Sequence, residues 1–292
     1  MSAPSKNKEL WIQGFFQGPA VKQTAGKGDI LLVAACQSVD QVFPDWTQTF
    51  KLNKTEFQPT DANIPLRLPR RECFKTAYQF DAPLTQFGVN NALLIGRQAV
   101  SYNFCPPKIY AAPAMKCLET AALIAQNFKK ISPKICVEFG IWGESAKTDS
   151  TFLLSTKEAK TFDFPVDSHY ESLVPSKLVD KCQDYKEWTA RTIKTFEQIL
   201  DSNDGNHVIF VMDQLAMKIV VAHCLYGTAT FETDESFLNV TCVHPGCTLL
   251  LQPTLEGKKR SFKESEYPFP SFTTSRMSTT LDYDGLASFL KA

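Results

Sequence analysis

The chain has 292 residues, of which 43% are hydrophobic, 12% aromatic and 21% charged; this excludes wholesale disorder and suffices for one large α/β domain or two small ones. Its 31 basic side chains balance 31 acidic ones, so no net positive field attracts nucleic acid and direct nucleic-acid binding is not expected. The N-terminal MSAPSKNKELWIQGFFQGPAV lacks a secretory apolar core and no run approaches a membrane span, which implies a cytoplasmic or nuclear chain with no membrane partner.

Residues 1–27 read as an N-terminal arm. Its aromatics Trp11, Phe15 and Phe16, in ELWIQGFF, are either packed on the following domain or part of a partner-docking segment. GDILLVAA, at 28–35, is a short continuous apolar run opened by glycine, as expected of a strand buried on both faces. Similar runs at 108–112, 134–139, 207–212, 237–243 and 247–252 predict further strands. Residues 40–80 mix aromatics with prolines and read as a long irregular excursion, after which Thr85 is placed to cap a helix through Leu93 and Ile95. From Pro113, a first-turn proline, Met115, Leu118, Ala121, Ala122, Ala125 and Phe128 recur with helical spacing. A second stripe, Tyr185, Trp188, Thr192, Phe196 and Ile199, ends at the turn-forming DSNDGN.

Strands that alternate with helices in this order predict an α/β fold with three layers, a mostly parallel sheet with helices on both faces. Residues 254–292 are polar and rich in Ser and Thr and read as a surface tail, and Lys258, Lys259 and Arg260 as a solvated loop. The nine cysteines show no CxxC or other zinc-like spacing and are expected as reduced, buried thiols. His169, His207, His223 and His244 are widely spread, so neither a metal nor a cofactor is implied.

The succession ILLVAACQSVDQVFPDW, DAPLTQFGVNNALLIGR, KIYAAPAMKCLETA and HVIFVMDQLA, with DYKEWTARTIKTFEQI ahead of the last, resembles the histidine phosphatase superfamily, whose fold is called phosphoglycerate-mutase-like. The likeness is nearest to the two-histidine phosphatase domains of the suppressors of T-cell receptor signalling and the ecdysteroid-phosphate phosphatases. It covers residues 28–253, which we take as the domain, with 254–292 as the C-terminal tail.

Active members carry Arg-His-Gly-Glu-Arg after the first strand, where the His accepts the phosphoryl group and both Arg grip it. By this resemblance those positions are Ala34, Ala35, Cys36, Gln37 and Ser38, and Ala35 has no lone pair to offer. The family's further phosphate-gripping Arg falls on Lys116, its second His on Asp213, and its proton-donating acid on Gly143, with Glu138 and Glu144 nearby. A working pocket would hold about three Arg and one or two cationic His, each charged hydrogen bond contributing about 1.5–3 kcal/mol. One Lys and one Asp remain at those positions, and Asp213 would repel a phosphate dianion.

Each of these residues also has a plainer structural reading. Cys36 has no His beside it and reads as a small buried hydrophobe, although it belongs with Lys116, Glu144 and Asp213 to any residual pocket. Asp213, between a strand and LAMKIVVAHCLY, reads as an N-cap. Lys116 reads as solvent-facing, and a surface loop or strand end accounts for Glu138 and Glu144 as well as a catalytic role does.

The expected function is that of an inactive histidine-phosphatase-like protein, not an enzyme, which binds protein partners or acts as a scaffold; the resemblance adds homodimer formation. The alternative is a phosphatase with altered chemistry or a sensor of a phosphorylated ligand. A third reading, an RNA-associated assembly factor, is opposed by the neutral charge.

Overall fold

The computed structural model describes residues 25–53, 56–143, 152–179, 185–227, 242–256, 259–265, 269, 271 and 279–290. The arm residues Trp11, Phe15 and Phe16 lie outside them, as does Glu144.

In chain order the elements are β1 (Ile30–Ala34), α1 (Val39–Val42), α2 (Trp46–Thr49), α3 (Phe74–Phe80), α4 (Gln86–Ser101), β2 (Lys108–Ala111) and α5 (Met115–Ala125). Then come β3 (Lys134–Val137), a 3-10 turn (Phe139–Ile141), α6 (Thr156–Thr161), α7 (Ser176–Val179), α8 (Tyr185–Asp201), β4 (Val208–Met212) and α9 (Gln214–Tyr226). The chain continues through β5 (Thr248–Glu256), β6 (Lys259–Glu264) and α10 (Tyr283–Leu290).

Among the described residues six strands form one sheet in the order β3-β2-β4-β1-β5-β6. β3, β2, β4 and β1 run parallel, while β5 and β6 are antiparallel to their neighbours. Every residue of β1 and β4 is buried, which is why both read as unbroken apolar runs rather than alternating ones. α5 packs on β2, β3 and β4, α9 packs on β1, and the stripe Trp188, Thr192, Phe196 and Ile199 of α8 is buried as its spacing predicts. Among the described residues no helix is long and apolar enough to cross a membrane.

Four expectations change. The run 237–243 was predicted as a strand; Cys242 and Val243 belong to none, and 237–241 lie outside the described residues. The segment 40–80 is irregular but carries three short helices, held by the T-shaped Trp46–Tyr78 pair and by the Tyr78 hydroxyl donating to the Pro69 carbonyl at 2.7 Å.

The region after 253 is no simple surface tail. The boundary between 253 and 254 falls inside β5, β6 extends the same sheet, and Phe269, Leu281 and Leu286 are buried. Arg260 is not a solvated loop residue either, because its guanidinium donates to Glu197 at 2.5 Å and to Asp201 at 2.8 Å. The alternation of β6 between Phe262 and charged neighbours is the period of a half-covered strand, which composition alone reads as polar tail.

The start of α4 is fixed as expected. Thr85 accepts from the Gly88 N–H at 2.9 Å through Oγ1, which also bonds to Gln37 Oε1 at 2.9 Å. This tethers α4 to the loop leaving β1. A Cβ at Gly88 would lie 2.2 Å from the Gln37 carbonyl oxygen, so only glycine permits the approach. Gly88→Ala is expected to lose about 2–3 kcal/mol and Thr85→Ala about 1 kcal/mol, as read from denaturant unfolding midpoints.

Candidate functional site

In a parallel sheet the loops leaving the carboxyl ends of the strands are where ligands bind. Here those ends are level: Ala34 lies opposite Met212, and Val211 lies opposite Ala111. Ala35 and Asp213 therefore leave adjacent strands side by side. The Ala35 N–H donates to the Met212 carbonyl at 2.7 Å, and the Ala35 carbonyl accepts from the Gly246 N–H at 3.1 Å.

Ala34, Ala35 and Cys36 are all buried. The Cys36 N–H donates to Thr120 Oγ1 at 3.1 Å, and burial pushes the Cys36 thiol up to about 12, against the opposing pull of Thr120. At neutral pH it is a protonated thiol, not a nucleophile. Ser38 is spent on α1: its N–H donates to Gln41 Oε1 at 3.0 Å and its hydroxyl to Asp40 Oδ1 at 2.6 Å.

Asp213 is fully buried and takes the N-cap role. Its Oδ1 accepts from the Leu215 and Ala216 N–H groups at 3.0 and 2.9 Å, and its Oδ2 accepts from the Gly143 N–H at 2.7 Å. The cap was legible in sequence; the reach to the loop after β3 was not. Gly143 is shaped by that contact, for a Cβ there would lie 2.5 Å from Asp213 Oδ1 and 2.8 Å from both the Ala216 N and Trp188 Cζ2. Ala35, Gly143 and Asp213 are thus brought together.

Lys116 corrects the sequence reading, because it is buried rather than solvent-facing. Its charge acts on Asp81, whose Oδ1 accepts from the Met115 N–H at 2.7 Å and whose Oδ2 pairs with Arg71 Nη1 at 2.9 Å. Burial raises the Asp81 carboxyl to about 7, while Arg71, the Met115 N–H and Lys116 pull it down. A carboxylate of the chain itself thereby takes an N–H at the start of α5 and sits against the cations beside it, the groups an incoming anion would use. Sequence reasoning missed Arg71 and Asp81; Asp81 opens the DAPLT string, but nothing local announces its partner across an irregular loop.

Glu138 stands at the end of β3, as the strand-end reading has it, and is fully buried rather than on a surface loop. Oε1 accepts from the Gly140 N–H at 2.7 Å and the Ser172 hydroxyl at 2.7 Å, and Oε2 from the Tyr170 hydroxyl at 2.6 Å and the Leu173 N–H at 2.8 Å. It fastens the 170–174 loop to the sheet.

The imidazoles are dispersed. His207 stacks on Phe104, His223 bonds to Glu197 at 2.9 Å, and His244 lies in the turn before β5, where its carbonyl accepts from Cys247 N–H. Among the described residues no group of three or more His, Cys, Asp or Glu is placed to hold a metal ion.

The sequence profile of the histidine phosphatase superfamily (branch 1) matches residues 74–244, more than half of the chain. The chain is 29% identical over 189 residues to the human ubiquitin-associated and SH3 domain-containing protein A, covering 63% of this chain and 28% of that protein. It is 28% identical over 195 residues to the Drosophila melanogaster ecdysteroid-phosphate phosphatase, covering 64% of this chain and 24% of that protein. The match therefore spans about a quarter of either curated relative. In fold it is similar to the ecdysone phosphate phosphatase of the silkworm Bombyx mori, solved with tungstate, at a TM-score of 0.70 and 21% identity over 85% of this chain and 95% of that one. That likeness establishes the phosphoglycerate-mutase-like fold.

Asp213→Ala leaves the Gly143, Leu215 and Ala216 N–H groups without their acceptor and is expected to cost about 3 kcal/mol. Asp213→Asn keeps an acceptor and is expected to cost less. Thermal and urea unfolding of the two variants check the order.

Proposed function

The chain belongs to the histidine phosphatase superfamily, and on that premise we propose that it is a catalytically inactive member that acts as a protein-interaction or scaffold module. The observation that carries this reading is the state of Asp213. At the position the resemblance assigns to the second histidine stands a buried carboxylate engaged with backbone N–H groups of two segments. It offers no positive charge to a phosphate, and both of its oxygens are already engaged by the chain's own N–H groups.

The other assigned positions point the same way. Ala35 supplies a methyl group, Gly143 an N–H, and the charge of Lys116 acts on the buried Asp81. Phosphoryl transfer depends on positioning and charge stabilisation by several donors at once, and the losses here fall on all of them. A rigid α/β core still presents loops to partners when its strand-end site is silent. The arm with Trp11, Phe15 and Phe16 is the docking segment in this reading, and self-association into a homodimer is a second mode of contact.

Two experiments test the proposal. With an aryl phosphate as substrate from about pH 5 to 8, the pure chain is expected to show no turnover above buffer. Turnover that Lys116→Ala, Cys36→Ser or His244→Ala removes would restore the phosphatase reading. For the interaction role, protein recovered from its native cells is compared with the Trp11→Ala/Phe15→Ala/Phe16→Ala variant. Loss of a bound partner is expected, whereas unchanged recovery would move the interface onto the folded domain.

A further inference from the structure

Two buried polar atoms without a hydrogen-bond partner line one cavity. It has a volume of about 250 Å³ and lies between one face of α4 and the start of β5. Asn91 and Thr248 are 2% and 9% exposed, and Asn91 Oδ1 and Thr248 Oγ1 bond to nothing among the described residues. Such atoms are rare in a folded chain, because each gives up water without gaining a partner. Leu94 and Ile95, from the same face of α4, supply apolar wall, and the exposed Arg97 and Ser271 mark the mouth.

Both polar groups are held by the fold. The Gly246 backbone, whose N–H donates to the Ala35 carbonyl at 3.1 Å, lies so near the Asn91 carboxamide that a Cβ on Gly246 would collide with Nδ2. Thr248 opens β5 and lies opposite Val33 of β1 in the sheet. The two groups thus stand on backbone fixed by α4 and by the ladder, and the cavity is formed before anything enters it.

The unpartnered atoms define what fits. Asn91 Oδ1 can only accept, whereas the Thr248 hydroxyl can donate. Among the described residues no acidic side chain lines the cavity, and Arg97 stands in solvent at the mouth, so the interior selects for neither charge. A carboxylate would bring no donor to Oδ1. At about 30 Å³ for each water-sized group, the volume holds a body of about eight non-hydrogen atoms.

We propose that this cavity binds a small uncharged amide with an apolar body, its N–H donating to Asn91 Oδ1, its carbonyl accepting from the Thr248 hydroxyl and its body lying against Leu94 and Ile95. Water alone would satisfy the two atoms but leave Leu94 and Ile95 wet, whereas one amide does both. Neither Ala35 nor Asp213 lines the cavity, so the inference stands whether or not the strand ends are silent.

The probe is benzamide, titrated into the full chain by calorimetry. Acetophenone keeps the ring and the carbonyl but has no N–H, and benzoate has no donor and carries a charge; each is expected to bind about tenfold more weakly, the loss of one hydrogen bond. Asn91→Leu is expected to bind benzamide and acetophenone equally. Thr248→Val keeps the shape without the hydroxyl and is expected to bind both about tenfold more weakly. Each variant exchanges an unpartnered buried polar group for an apolar one, so without ligand it should be no less stable than the parent, which a structural role for the polar group does not allow. Thr248→Val decides alone if Asn91→Leu fails to fold against Gly246. No saturable binding of benzamide, equal binding of the three compounds, parental affinity in Thr248→Val, or a loss of stability in that variant would overturn the proposal.

Discussion

One carboxylate joins three parts of this fold. Asp213 ends β4, caps α9, and accepts the N–H of Gly143 from the loop that leaves β3. β3 lies two strands away from β4 only through β2, so this contact ties together loops that the sheet ladder leaves apart. Three N–H groups converge on a single buried side chain, and each would be costly to leave without an acceptor. The packing of Trp188 follows from it, because the approach that lets Gly143 reach Asp213 also brings the indole ring against the glycine.

The same logic recurs beside it. Asp81 takes an N–H of α5, pairs with Arg71 and feels the charge of Lys116, and Glu138 gathers donors from the 170–174 loop. Charged side chains that would be expensive to bury alone are compensated within the chain. Asp213, Asp81 and Glu138 each accept from backbone N–H groups of other segments, so the described loops at the strand ends are held by the chain's own acidic side chains.

The sequence disclosed what depends on neighbours in the chain. The run 30–34 and the stripe of α8 follow from local periodicity, and the Thr85 and Asp213 caps need only residues two or three positions away. What it hid depends on distant partners. Lys116 reads as solvent-facing because Asp81, on which its charge acts, comes from another segment. The reach of Glu138 is hidden because, apart from the Gly140 N–H, its donors lie more than thirty positions along the chain. β6 was read as tail, since a strand covered on one face carries as many charges as a loop and its pairing with β5 has no signature in composition.

The glycine at 143 couples distant parts of the chain. A Cβ there would meet Asp213 Oδ1 at 2.5 Å and both the Ala216 N and Trp188 Cζ2 at 2.8 Å, so a side chain at 143 needs room made at three places at once. The contact that forbids it is the one on which the cap of α9 stands, so position 143 tolerates change only together with its surroundings.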